Sequence, residues 1–512
     1  MIDKGNCKLK GGLSTMLKLK PKEYLTEAEV QKGLRKVIWD GLTAEAMTAL
    51  TSGTFLVALA LLIGANSFQI GILASLPLAT NVFQLLSVWL VSEYQNRRAV
   101  AVFCAYLARL PLLIIGLGLL YSSHFSLSFL FIMLTMHYLF GSIAGPSWNS
   151  WMKDMIPEQM LGTYFSKRGR YTQTLNVILS IILGFILDYV KVNQPANELT
   201  AYAYFFLTAG LIGIIGGYIL SRVPETIPHV SAGNVIQLFK LPLMNQNFRR
   251  VLIFNSFWAF ALNIATPFLS VFMLTALKLS ISYIILLGVI SQLAGILTIS
   301  IWGTFSDRYS NKSIISLAAP IYIAVLIGWC YVGIFHQSWI NILLLLAIHI
   351  ATGVANSGIN LSITNIGLKL APKRDAIVFL SVKNIVVAIS SSLGPLVGGV
   401  MAAFFLDKTL SVNLSWMANT TAKNYHLLSL QQWSFLFIAS AILALVSLNF
   451  LIKIKELGEV PRKIVRRIMR TSIRNNMRDY FLIGNIISLH DELSAIVRKR
   501  KYKTSLKEKQ KE

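Results

Sequence analysis

Between Lys36 and Lys453 the chain returns twelve times to an apolar run of about twenty residues, long enough as a helix to cover the ~30 Å core of a bilayer. The runs fall at 37–63, 68–91, 99–121, 126–150, 171–191, 201–221, 251–275, 282–305, 313–335, 338–361, 376–405 and 430–453. Hydrophobic residues make up 55% of the chain and charged residues 13%, where a soluble domain carries roughly 25% charged residues. The expectation is an all-α membrane protein with twelve transmembrane helices.

The polar links between runs alternate in charge. All but six of the 47 Lys and Arg fall on one predicted face. Lys191, Lys278, Lys408 and Lys423 lie on the other, and Arg109 and Lys383 lie inside runs. Positive charge marks the cytoplasmic side, so both termini are expected in the cytoplasm. The net charge of +25 then faces anionic membrane lipids, and nucleic acid is not an expected partner. Cys7, Cys104 and Cys330 have no metal-ligand spacing, so no zinc site or disulfide framework is expected. Residues 1–25 lack the apolar core of a cleaved signal peptide, and Thr26 with Glu29 fits a capping box opening a short helix.

The link Trp302–Lys312 reads W-G-T-F-S-D-R-Y-S-N-K, and Val88–Arg98 reads V-W-L-V-S-E-Y-Q-N-R-R. Ser92 aligns with Ser306, Glu93 with Asp307, and Arg98 with Lys312; His137–Gly141 aligns in the same way with His349–Gly353. Repeats at this spacing point to a duplicated membrane domain. Gly303-x-x-x-Asp307-Arg308-x-x-x-Lys312 resembles the loop signature of the major facilitator superfamily, G-x-x-x-D-R-x-G-R-[RK], found between the second and third helix of each half. The second copy departs at Ser310 and Asn311, and the first at Trp89, Glu93 and Tyr94.

The resemblance implies two six-helix pseudo-repeats around a central cavity. It also implies that the first, fourth, seventh and tenth helices line that cavity. The organisation expected is a basic cytoplasmic segment at 1–36, a first half at 37–221, a linker at 222–250, a second half at 251–453 and a basic tail at 454–512. In the tail, Ile464, Val465, Ile468, Met469 and Ile473 recur at helical spacing between arginines. That helix would lie on the inner membrane surface or pack on the cytoplasmic face of the bundle.

The chain has no Walker-type glycine loop, no H-E-x-x-H and no G-x-S-x-G, so neither an enzyme nor a cofactor is expected. Polar residues inside spans are costly and are functional candidates by default. Arg109 needs a partner, for which Glu45 is the first choice and Asp40 the second. Glu45 would bind a proton or a cationic group, or serve as a structural counterion. Lys383 would hold an anion or snorkel to the inner face. His137 and His349 would carry protons or serve packing. Thr48, Thr51, Trp148, Asn149, Asn255, Trp258, Asn263, Asn356 and Asn360 are candidates for lining a solute cavity, or for gluing helices together.

By resemblance, Gly303, Asp307, Arg308 and Lys312, with Glu93, Arg97 and Arg98 in the first copy, form a cytoplasmic charge lock. Leu393-Gly-Pro-Leu-Val-Gly-Gly399 resembles the G-P-x-x-G-G element of antiporters, displaced here from the fifth helix to the eleventh. The function expected is secondary active transport of a small organic solute by alternating access, in a bacterial inner membrane, coupled to protons and carried out by a monomer. The competing expectation is a non-transporting assembly factor or receptor acting through the basic tail.

Overall fold

The computed structural model describes residues 19–121, 125–157, 160–227, 240–308, 310–333, 338–372, 376–418 and 421–456. Among the described residues, twelve helical spans are long and apolar enough to cross a membrane. They are α1 (Glu27–Leu62), α2 (Ser67–Tyr94), α3 (Arg97–Tyr121), α4 (Leu127–Met155), α5 (Thr163–Asn193), α6 (Pro195–Ser221), α7 (Gln246–Thr275), α8 (Ile281–Ser306), α9 (Asn311–Tyr331), α10 (Trp339–Leu370), α11 (Val378–Phe404) and α12 (Gln432–Ile452). Two strands between α11 and α12, β1 (Leu410–Ala418) and β2 (Thr421–Leu430), form an antiparallel hairpin with a register shift after Val412. The apolar pattern gives no sign of this hairpin, which falls in a link between spans.

Several helices extend beyond their apolar runs, and polar caps start two of them early, α1 at Thr26 and α7 at Asn245. Thr26 and Glu29 form the reciprocal capping box, so α1 begins ten residues before its apolar run. The helix of α5 begins at Leu161, which brings Arg168 inside it rather than into the preceding link.

The same packing recurs in each half. α3 packs on α4 and α6, as α9 packs on α10 and α12. α1 packs on α5 and α6, as α7 packs on α11 and α12. The halves join where α2 meets α11 and where α5 meets α8.

Glycine lets α2 and α11 meet backbone to backbone. A Cβ on Gly399 would lie 3.0 Å from Phe68 Cα, and one on Gly71 would run into the Pro395 carbonyl. On the other side of α11, a Cβ on Gly394 would lie 2.8 Å from the Phe260 carbonyl oxygen of α7. The antiporter-like G-P-x-x-G-G element thus serves close helix approach. At the α5–α8 junction, Asp188 accepts from the backbone N–H of Ile281 and Ser282, both at 2.9 Å, capping the start of α8 from the opposite half.

These junctions lie toward the face poor in Lys and Arg. The α4 and α5 ends near the basic face make no substantial contact with α10 and α11 among the described residues. Asn149 on α4 and Asn360 on α10 are exposed there. The seam between the halves is therefore closed on one side and open toward the basic face.

Candidate functional site

The wall of the first half carries a charged cluster at the mouth of a cavity of about 240 Å³. Asp40 from α1, Arg109 from α3, Trp148 and Asn149 from α4 and Arg168 from α5 line it. Gly141 and Gly145, one turn apart on α4, leave open space beside them. A second cavity of about 310 Å³ shares those two glycines and adds Asn81, Gln84 and His137.

Arg109 pairs with Asp40, not with Glu45. Nη2 lies 3.7 Å from Oδ1, and both side chains are 7% exposed. The sequence ranks Glu45 first because it lies deeper in the apolar run, but the early start of α1 and its rotation turn Asp40 toward α3. Arg109 fits only because α6 is glycine there. A Cβ on Gly217 would lie 2.7 Å from Nη1, and one on Gly213 would lie 3.0 Å from Cγ. The long pair leaves Asp40 Oδ1 and Arg109 Nη1 buried without hydrogen-bond partners.

The sequence repeat sets Arg168 against Lys383 as the cation near the next span, but Arg168 is not among the candidate site residues, since its apolar run starts only after it. Its guanidinium lies over the Trp148 ring, 5.0 Å from the centroid. Gly41 makes room for it, because a Cβ there would lie 2.7 Å from Arg168 Nε. The signal that marks Arg168 is the pseudo-repeat, which sets it against Lys383. Lys383 is itself buried, with its side chain against Gly367 of α10.

Glu45 belongs to a different wall. Its Oε1 accepts from Asn176 Nδ2 of α5 at 2.7 Å. Asn176 lines a cavity of about 210 Å³ with Ser52, Gly53 and Thr54 of α1 and Gln292 of α8. There α1 is interrupted: Ser52 is extended and Gly53 takes φ +62°. An interrupted span at a polar cavity is a recurrent feature of transporter binding sites.

The remaining candidates divide. His137 shares a hydrogen bond with the Ala108 carbonyl of α3 at 2.7 Å and lines the second cavity. His349 bonds within its own helix to the Leu345 carbonyl and packs edge-on against Trp329. Thr48 and Thr51 donate back to the carbonyls of Ala44 and Met47. Trp258 is a core residue, stacked on Phe254. Asn255 is buried with both amide atoms unpartnered. Asn263 donates to its own helix at the Ala259 carbonyl. Asn356 is half-buried and Asn360 exposed on α10.

Of the loop residues expected to form a cytoplasmic charge lock, Arg97, Arg98 and Lys312 make ties within their own half. Glu225, in the link after α6, accepts from the backbone N–H of Arg97 at 2.9 Å and of Arg98 at 3.0 Å, so a carboxylate caps α3. Arg97 also reaches Asp154 at the end of α4, and Arg98 donates to the Ser221 carbonyl ending α6. Burial pushes the Glu225 carboxyl up from its ordinary range, while hydrogen bonds from Arg98 and Arg97 pull it down.

Glu456, after α12, repeats the device. It accepts from the backbone N–H of Asn311 at 3.2 Å and of Lys312 at 2.9 Å, capping α9. Lys312 Nζ donates to the carbonyls of Ile452 and Ile454. Nothing in the sequence singles out Glu225 or Glu456, because each lies far along the chain from the helix it caps. Glu93 is exposed in the last turn of α2, and Gly303 lies in α8 near Leu361. Asp307 and Arg308 continue the α8 helix, and their side chains lie outside the described residues, as do residues 1–18 and the tail beyond 456.

Among curated proteins no sequence matches. Solved structures do match in fold. A nucleoside transporter, NupG, aligns at 13% identity with a TM-score of 0.58, over 83% of this chain and 98% of its own. The inward-open xylose transporter XylE from E. coli aligns at 13% and 0.58, over 86% and 99%. An inward-facing bacterial homologue of the iron transporter ferroportin aligns at 14% and 0.56, over 84% and 99%. A family model described as Major Facilitator Superfamily matches residues 42–395. With twelve spans in two repeating sets around a cavity, and that match over more than half of its length, the chain belongs to the major facilitator superfamily.

Proposed function

We propose that this protein is a secondary active transporter that moves a small organic solute across a bacterial inner membrane by alternating access. One observation carries the reading. The two halves meet on one side through α2–α11 and α5–α8, while the cavity lined by Asp40, Asn149 and Arg168 lies toward the ends of α4 and α5 near the basic face. Such an arrangement is one end state of a rocking pair of halves, with the cavity facing the cytoplasm. The charge asymmetry of the links supports cytoplasmic termini and contact of the basic face with anionic lipids.

Glu45 is the proposed proton carrier. It is half-buried and takes its hydrogen bond from a neutral amide, Asn176, which lines a cavity, so it can gain and lose a proton without breaking an ion pair with that partner. Asp40, by contrast, is held in the pair with Arg109. The assembly-factor reading rests on the tail, which lies outside the described residues.

The test uses purified full-length protein in proteoliposomes with a trapped pH-sensitive dye. An inward proton gradient is imposed and solute classes are screened, with wild type compared against Glu45→Gln. Solute-dependent proton movement that disappears in the variant is expected. Solute flux without proton movement leaves transport standing and removes the proton from Glu45. A protein that moves no solute of any class tested overturns the transport reading.

A further inference from the structure

The cluster on the first half has more positive than negative charge. One carboxylate, Asp40, faces two guanidinium groups, Arg109 and Arg168. It also has more donors than acceptors. Arg109 Nη1, Arg168 Nε and Trp148 Nε1 are all buried without a hydrogen-bond partner, against one unpartnered oxygen, Asp40 Oδ1. Buried donors without acceptors are rare in folded proteins and call for a ligand or an ion. Arg109 is 6% exposed and fixed in the glycine slot of α6, so its charge cannot swing away to water. Arg168 lies over Trp148, with Gly41 at its back, on the wall of the open cavity. A planar guanidinium held in this way is suited to a carboxylate or phosphate group.

We propose that the transported solute is a small organic anion, whose carboxylate or phosphate is held by Arg168 with the Trp148 indole N–H beside it, at the Asp40–Arg109 cluster. The inference rests on the transport reading for treating the anion as cargo. Arg168 is the contact residue. Arg109 is a positioning residue, which occupies Asp40 so that Asp40 does not neutralise Arg168. The exposed amide of Asn149 lines the same cavity and faces the polar part of the solute.

The test uses the full-length purified protein in detergent and four probes of one ring size: benzoate, phenyl phosphate, benzamide and benzylammonium. The readout is the ligand-dependent shift of the unfolding midpoint, titrated to give an apparent Kd. The anions are expected to raise the midpoint, and the amide and the amine to leave it unchanged. Arg168→Gln is expected to weaken anion binding about tenfold or more, Arg168→Lys by less, and Trp148→Phe, which keeps the ring and removes one donor, by a few-fold. Should Arg168→Gln fail to fold, the Arg168→Lys and Trp148→Phe titrations carry the comparison.

Stabilisation by benzamide or benzylammonium equal to that by benzoate overturns the proposal. So does the absence of any anion effect at millimolar probe, or an anion affinity indifferent to Arg168. Uptake of radiolabelled benzoate and benzylammonium into proteoliposomes separates the two readings. Anion binding without benzoate uptake keeps the site and overturns the anion as cargo. Benzylammonium uptake without anion binding keeps transport and overturns the anion site.

Discussion

Arg109 Nη2 stands 3.7 Å from Asp40 Oδ1, a buried charge pair that ties α3 to α1 against the glycine face of α6. Breaking such a pair from one side leaves an uncompensated buried charge, at a cost of about 3–5 kcal/mol. Arg109→Met is therefore expected to lower the unfolding midpoint strongly. The double variant with Asp40→Asn should recover part of the loss. Midpoints measured in detergent for the two single variants and the double variant give the coupling, and simple additivity would rule the pair out as a unit.

The slot for Arg109 predicts a steric effect. Gly217→Ala puts a Cβ 2.7 Å from Nη1 and 2.9 Å from the Tyr106 ring. The expected loss is about 1–3 kcal/mol. Gly145→Ala, facing open space, should leave stability within about 0.5 kcal/mol of wild type. Parallel thermal unfolding of the two variants checks the contrast.

The closed side of the seam depends on Asp188. Its carboxylate makes two hydrogen bonds to the start of α8, and opening that side must break both. Asp188→Ala is expected to shift the population toward the outward-open state by roughly tenfold. Labelling of Ile285→Cys, placed in the same junction, by a membrane-impermeant thiol reagent should speed up accordingly. Unchanged labelling would show that the glycine contacts of α2 and α11 hold the seam without it.

Glu225 predicts a pH dependence. Burial raises its folded pKa above the unfolded value of 4.5. The stability it contributes is then fully present below the unfolded pKa and is lost as pH rises through the folded pKa. Glu225→Gln should therefore cost more at about pH 4.5 than at about pH 7.5, measured as the midpoint difference from wild type at each pH. A cost that grows with pH would place the folded pKa below the unfolded one.

Gly53 sits at φ +62°, and a Cβ there would meet nothing within 4 Å, so its role is backbone freedom alone. Gly53→Ala should cost about 1 kcal/mol through the left-handed conformation. If the break in α1 serves the transport cycle, flux should fall further than that stability loss accounts for. Uptake per folded molecule is the measurement.

The twelve spans are legible because apolar length is a local property, and each run announces itself. The repeat is legible because the Ser306–Lys312 and Ser92–Arg98 links keep matching residues at matching places. What escapes is the pairing. Arg109 declares that it needs a counterion, but choosing Asp40 over Glu45 requires the rotation of α1 about its axis. Arg168 hides because polar residues at the start of α5 look like link, although the helix begins well before them. Glu225 and Glu456 are single acidic residues in polar stretches, and only the fold brings each one to a distant helix start.

Those two carboxylates have a consequence for assembly. Glu225 and Glu456 each fasten the loose ends of one six-helix set without reaching across to the other. Each set therefore carries its own fastening. A chain cut between them, in the stretch after Ile227, keeps every one of these ties intact on its own fragment. Two separately made fragments should find each other in the bilayer through the glycine faces of Gly71 and Gly399 and restore the cavity, as two-piece proteins do when the cut falls between self-contained units.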